Sequence, residues 1–562
     1  MLEGKKYARE RLGRVLVLGL GKSGHAAIDY LVPLVGTRVD ELCVAAGARA
    51  GASSEVLSYV EGLRGCGVQV LFDHEHIESS YDLCIASPGI SQFSPFYESA
   101  RAASTEIVSE VEFAWRESDA DSVWVAVSGT NGKTTTTALI AHLLQHGGMQ
   151  ANAVGNIGDT CLDAVAARDT KVYVAEVSSY QLASTCNFAP NVAVLLNITP
   201  DHLAWHKSHE AYVAAKFKMI ANLSQVPGSV AVLDATNDTV RDYVRTLRTQ
   251  DEKARGFAYI PLGSAAGIND SMIERCGADA AAYVKESALC VDFRGVRHQL
   301  TEAKTLQIKG PHNTLNALAA ASAAVALGVP DEVINEGLLS FAPLEHRIEP
   351  CGDIAGVACY NDSKATNVDA TLVALSSFKP GSIVALLGGR DKGTDLEPLV
   401  ARARKTCKAV VLFGESRARF AEAFAGCAGD SAGSEVAGNA DVGSADKMIL
   451  QVILAEHLAD ALKAALSVAQ AGDNILLSPA CASFDEFSCF EERGCVFKDL
   501  VSKYAAAASA QLVGTQSADA NPATADTNPA TADANPTTAD TNPATADVEP
   551  QVAAASAQLD AQ

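Results

Sequence analysis

Short, almost continuously apolar runs recur along the chain at 15–18, 83–86, 123–127, 172–177, 192–197, 383–387, 409–413 and 474–477. Between them lie longer segments in which apolar residues return every three or four positions, for example 134–144 and 210–223. Runs of this length, rich in β-branched residues, predict strands buried on both faces, and the segments between them predict helices. Their alternation predicts α/β folding around mainly parallel sheets. A polar helix and loop around 112–121, and the stretch 343–347 before a fresh strand at 356–360, mark boundaries. The expected domains are 1–120, 121–345 and 346–504, followed by a tail, 505–562.

The length of 562 residues supports this division, since one core does not grow so large. The tail repeats Asn-Pro-Ala-Thr-Ala-Asp with a seven-residue period and carries no large apolar side chains from 521 to 546. It is expected to be disordered, because nothing in it offsets the entropy of ordering. A Gly/Ser/Ala-rich stretch, 429–446, reads as a surface insertion in the third domain. A net charge of −23 argues against nucleic acid or an anionic membrane as partner. Fourteen scattered cysteines without Cys-x-x-Cys spacing suggest neither a disulfide framework nor a zinc site. No apolar stretch approaches a membrane span. The expectation is a cytoplasmic monomer.

Candidate chemistry lies at the ends of the predicted strands. Gly129-Thr130-Asn131-Gly132-Lys133-Thr134 follows the run 123–127 and opens a helix through Thr134 and Thr135. Such a turn cradles phosphate with backbone N–H groups; Lys133 would reach the β/γ-phosphates and Thr134 would ligate Mg²⁺. The strict P-loop pattern wants glycine where Val127 stands, so this is a variant. Gly19-Leu20-Gly21-Lys22-Ser23-Gly24 matches a dinucleotide turn, but the second strand ends Ala45-Ala46-Gly47, without the acid that holds a nicotinamide cofactor's ribose. Gly21, Lys22 and Ser23, with Ser87-Pro88-Gly89 after the run 83–86, therefore read as a diphosphate site for another nucleotide. Glu176, at the end of the run 172–177, is placed to ligate Mg²⁺ or to cap the next helix. His202 ends the following strand at the same sheet edge. Lys216, judged by helical spacing alone, reads as a surface lysine.

Taken together, Gly129 to Thr134, Asn156, Glu176, Asp201-His202, Lys216, Asn313, Asn316 and His346-Arg347 resemble the Mur ligase family of ATP-dependent amide ligases. The resemblance implies a Rossmann-like first domain, a P-loop-type central ATPase domain and a Rossmann-like third domain. It further implies that Lys216 is carbamylated and joins Glu176 and His202 in holding two Mg²⁺ ions, a second role for a lysine that spacing puts on the surface. Asn313, Asn316, Arg347 and Asp362 would contact ATP, and Asn156 the UDP-linked substrate. The segments Asn361 to Asn367, Leu386 to Lys392 and Leu477 to Phe487 resemble the members that add D-glutamate to UDP-N-acetylmuramoyl-L-alanine. In those, Lys364, Thr366, Lys392, Ser483, Phe484 and Phe490 would surround the amino acid. Lys133, His202 and Lys216 would be the catalytic set. Two rivals remain at this point: a folate polyglutamate-type ligase, which should lack the first domain, and a non-catalytic nucleotide sensor, which intact Lys133, Glu176, His202 and Lys216 disfavour.

Overall fold

Three β-sheets carry the chain in a computed structural model that describes residues 1–47, 54–72, 76–263, 280–391, 393–426 and 450–518. The expected insertion at 429–446, the repeats from 519 onward and Lys392 lie outside the described residues. In the first sheet, five parallel strands stand in the order Gln69–Leu71, Val39–Ala45, Gly13–Leu18, Leu83–Ala86, Ile107–Ser109. Strand order reverses between Gly13–Leu18 and Leu83–Ala86, which opens a crevice beyond their carboxyl ends. The glycine turn at Gly19 and the Ser87 turn both emerge there.

The central sheet has nine strands. Val123–Ser128 lies between Val172–Glu176 and Val192–Leu195, and all three run parallel, so the loops that leave them share one edge. The far side ends in an antiparallel trio, Ala280–Lys285, Ala288–Phe293 and Val296–Glu302. The third sheet has six strands, and at its middle Val357–Asn361, Asn474–Ala480 and Ile383–Gly388 lie side by side and parallel. A strand not expected from the sequence, Glu349–Ile354, pairs antiparallel with Val357–Asn361.

Two sequence expectations are corrected. The polar helix and loop expected at 112–121 begins earlier and is buried: in the helix Glu110–Glu117, Glu112 is 0%, Glu117 1% and Arg116 4% exposed. Apart from Glu110, whose Oε2 is buried without a partner and whose pKa burial pushes up to about 7, its charges are matched. Arg116 donates to both oxygens of Glu106 at 2.7 and 2.8 Å, and Arg38 makes a bidentate bond to Glu117 at 2.7 and 2.8 Å. Glu112 also accepts the backbone N–H of Asn187, at 3.0 Å, which ties this helix into the central domain. Such pairs tolerate burial because every charge has a partner; removing one partner costs about 3–5 kcal/mol.

The second correction concerns the tail. The last helix runs Phe490–Ala518, past Ala505, and Tyr504, Ala505 and Ala508 pack against the third core. Alanine is the best helix former, and small apolar residues at this spacing continue the buried face of Phe497 and Val501. Among the described residues, no helix is long and apolar enough to cross a membrane.

Candidate active site

The strand Val123–Ser128 is buried from Trp124 on and delivers the chain into the turn at the central sheet's edge. Thr130 is pinned there, its hydroxyl 2.8 Å from that of Tyr212 and accepting the Thr199 N–H at 3.0 Å. Asn131 donates its backbone N–H to Asn197 Oδ1 at 2.9 Å. Gly132 has φ 84°, and a Cβ on it would fall 2.4 Å from Asn316 Oδ1. Only glycine lets the helix Pro311–Ala326 approach so closely. The next helix, Lys133–His146, starts with its N–H groups toward the turn. Lys133 Nζ donates to the carbonyls of Gly129 and Thr130 at 3.0 and 2.9 Å. Burial pulls its pKa down, with the Glu176 charge opposing.

Beside the turn lies a donor set suited to a hard cation. Glu176 is 1% exposed; its Oε1 accepts from Asn156 Nδ2 at 2.9 Å, while its Oε2 is buried without a hydrogen-bond partner. A buried carboxylate oxygen left so is costly unless a cation or a donor from a ligand completes it. His202 sits at φ 55°, with Nδ1 3.5 Å from Asp201 Oδ1 and its ring 4.8 Å from that of Tyr180. Lys216 is not on the surface. It is 1% exposed on the helix His209–Ala221, and Nζ donates to the Gly129 carbonyl at 2.7 Å. Burial, then the nearby Lys133 charge, hold its pKa well below that of an ordinary lysine. Both effects disfavour the ammonium and favour the uncharged, nucleophilic amine.

A cleft opens from this edge toward the third domain. Asn131, Gly132, Thr135, Asn313, Asn316, Arg347 and Asp362 all line it, so seven of the expected nucleotide contacts converge. Asn316 Nδ2 donates to Asn313 Oδ1 at 3.0 Å, which orients both amides. Arg347 crosses between domains and donates to Thr134 Oγ1 at 2.7 Å. Asp362 accepts the Ser478 hydroxyl at 2.7 Å, and full burial pushes its pKa up to about 7.

The strand-end loop that begins at Asp362 reaches the cleft from the third domain and continues to the expected amino-acid contacts. Lys364 Nζ stands 3.7 Å above the Phe490 ring centroid, a cation–π contact that fixes the ammonium. The Thr366 N–H returns to the Lys364 carbonyl at 2.8 Å. Ser483 is 2% exposed, whereas Phe484 is 60% exposed and points to solvent. In the first domain, Lys22 Nζ reaches across to the Gly158 carbonyl at 2.6 Å. Ser87 Oγ is buried without a partner, next to Gly19, where a Cβ would meet it at 2.9 Å. Gly21, Ser23, Pro88 and Gly89 belong to the same two turns.

Several participants were invisible to motif reading. Tyr212, Asn197 and His206 hold the turn and its neighbour; His206 Nε2 lies 2.9 Å from Ser179 Oγ, and burial pulls its pKa down to about 4. A cluster of possible metal donors, Glu345, His346 and Cys495, lies behind the cleft. It is not suited to an ion. Asn361 Oδ1 accepts the Ser363 N–H at 3.1 Å, so its Nδ2 is the atom facing His346 Nδ1 at 2.9 Å and the proton of that ring sits on Nε2. Lys498 already pairs with Glu345.

A phosphate cradle, an orphaned carboxylate and a buried amine on one sheet edge suit a nucleoside triphosphate with a divalent cation. Comparison with known proteins carries this further. The Mur ligase middle domain matches residues 127–324, and the Mur ligase glutamate ligase domain matches residues 346–481. A UDP-N-acetylmuramoylalanine–D-glutamate ligase of Latilactobacillus sakei is 36% identical over 497 residues, covering 87% of this chain and 97% of that one. Proteins of the same name from Koribacter versatilis and Halalkalibacterium halodurans are 34% and 35% identical, over 88% and 86% of this chain and 98% and 96% of theirs. The chain belongs to the Mur ligase family, whose members couple ATP cleavage to ligation in peptidoglycan synthesis.

Proposed function

We propose that this protein joins D-glutamate to UDP-N-acetylmuramoyl-L-alanine in the cytoplasm, with ATP converted to ADP and phosphate. The observation that carries the reading is similarity along nearly the whole length of relatives bearing that name, together with Lys364 held over Phe490 where an acidic amino acid would enter. In this reading the γ-phosphoryl group of ATP passes to the L-alanyl carboxylate, giving an acyl phosphate and ADP. The amine of D-glutamate then attacks the acyl carbon, phosphate leaves, and the amine's proton is released.

The chain's own groups have distinct tasks. N–H groups of the Gly129–Thr134 turn and Lys133 hold and neutralise the transferring phosphoryl group, Arg347 closes over it, and Asn313, Asn316 and Asp362 orient the nucleoside. The first-domain turns at Gly21–Ser23 and Ser87–Gly89 hold the UDP part, with Asn156 beside them. Lys364, Thr366, Lys392, Ser483, Phe484 and Phe490 would surround the amino acid, with the lysines and hydroxyls facing its carboxylates. Thr134, Glu176, His202 and Lys216 would hold two Mg²⁺ ions, a fit supported by the unpartnered Oε2 of Glu176. Bound there, Mg²⁺ offsets the charge of the triphosphate and the attacking carboxylate. For Lys216 to take part its amine must become a carbamate, and a neutral buried amine is the form that reacts with CO₂.

A folate polyglutamate-type ligase fits less well, because a complete five-stranded first domain precedes the phosphate turn. An ADP-release assay with all combinations of UDP-muramoyl precursors and amino acids tests the proposal. ADP release is expected only when UDP-N-acetylmuramoyl-L-alanine and D-glutamate are both present. Release that needs neither, or that prefers another acceptor, would overturn it.

A further inference from the structure

Arg493 is among the largest fully buried side chains of the protein, at 0% exposure, and among the described residues no carboxylate forms an ion pair with it. Burying a guanidinium without a carboxylate in direct contact is unfavourable, and burial draws its pKa down to about 10 against the opposing charges of Asp485, Asp362 and Glu486. What it has instead is four hydrogen bonds to two loops. Nε donates to Ser363 Oγ at 2.9 Å and Nη2 to the Ser363 carbonyl at 2.8 Å, while Nη1 and Nη2 both reach the Cys481 carbonyl at 3.1 Å. Ser363 precedes Lys364. Cys481 lies two residues before Ser483.

Two further contacts extend this clamp. Ser363 Oγ donates to the Phe490 carbonyl at 2.8 Å, which connects the loop of Lys364 to the ring beneath its ammonium. The third loop joins through Ala482, which exchanges backbone bonds with Arg390 at 2.8 and 3.1 Å. A Cβ on Gly389 would stand 2.3 Å from the Ala482 carbonyl and 3.1 Å from Arg493 Nη1, so this turn, which leads to Lys392, lies directly against the guanidinium.

The structure assigns Arg493 as the positioning residue of the amino-acid site: its planar fork holds three strand-end loops in one register, so that Lys364, Ser483 and the turn before Lys392 present a single pocket. It touches no substrate. A lysine there offers one tetrahedral ammonium and cannot bond both carbonyls and the hydroxyl in that plane. The inference rests on the amino-acid site proposed above.

The test is steady-state kinetics of the full chain carrying Arg493→Lys, and separately Ser363→Ala, with whichever amino acid the parent enzyme turns over. Misplacement of binding groups is expected to raise the amino-acid KM of Arg493→Lys at least about tenfold more than its ATP KM, with thermal midpoint nearly kept. Ser363→Ala, which leaves both carbonyl bonds, should shift the same ratio in the same direction by about two- to threefold. Equal rises in both KM values, an unchanged amino-acid KM, or a lysine variant that cannot fold would each overturn the inference. A parent that turns over no amino acid fails the functional reading and this inference together, whereas an active parent with an unaffected variant fails this inference alone.

Discussion

Replacing Asp362 with asparagine tests the electrostatics of the nucleotide cleft. Its carboxylate accepts the Ser478 hydroxyl at 2.7 Å and the Ile348 N–H at 3.2 Å, and burial pushes its pKa from 3.8 to about 7 against the pull of those bonds and of Arg347. Because the native pKa is raised, the folded protein keeps a proton that the unfolded chain has lost between about pH 4 and pH 7, so stability falls as pH rises through that window and levels off above it. Three pKa units correspond to about 4 kcal/mol as an upper bound. Asp362→Asn stays neutral throughout and escapes this loss, but mismatched donors cost about 1–3 kcal/mol at every pH. Without nucleotide, the variant should therefore melt below the parent near pH 5 and at or above it near pH 8. If the ionised carboxylate also accepts from ATP, the variant's ATP KM should exceed the parent's by about tenfold at pH 8 and by less at pH 6, where the parent is itself protonated. A melting difference that stays constant from pH 5 to pH 8 would refute the reasoning.

Three shorter predictions accompany it. Lys216→Ala should nearly abolish turnover while leaving the thermal midpoint close to the parent's, acetate should restore part of the activity, and labelled CO₂ should give a carbamate carbon signal in the parent but not in the variant. Glu176→Gln should weaken the Mg²⁺ dependence of turnover by an order of magnitude or more, because its buried Oε2 is left without charge; unchanged Mg²⁺ titration would exclude it as a ligand. Removal of residues 519–562 should change neither the thermal midpoint nor the rate, whereas cutting back to Val501 should lower the midpoint, since Tyr504, Ala505 and Ala508 pack on the third core.

The doubly buried parallel strands were legible because both faces demand apolar residues, and their carboxyl ends marked where chemistry would gather. What escaped was structure whose signal is tertiary. Glu349–Ile354 is largely exposed and polar, so its pairing shows in no apolar run. The hairpin turn at Glu286-Ser287 has φ 51° and 71° without glycine or asparagine, which removes the usual local cue. The helix Glu110–Glu117 looks solvated by composition and is buried with counter-charges from Glu106 just before it and from Arg38, remote in sequence. Lys216 is the sharpest case. Nothing in its helical spacing separates it from a surface lysine, and its burial follows from where Gly129 and Tyr212 meet in the fold.

The environment of Lys216 works on both sides of a single chemical change. Three cationic side chains of the site besides Lys216, namely Lys133, Arg347 and Lys364, have their pKa values lowered chiefly by burial, in a chain whose net charge is −23. Anionic ligands, as proposed for this site, would offset the cost of holding those cations out of water. For the Lys216 amine, proximity to Lys133 opposes protonation, which keeps the lone pair available. Were that nitrogen to carry a carboxylate, as proposed above, the same neighbour would become a favourable counter-charge. The position therefore favours the reactive form of the amine before the change and the anionic product after it, which a lysine exposed to solvent could not achieve.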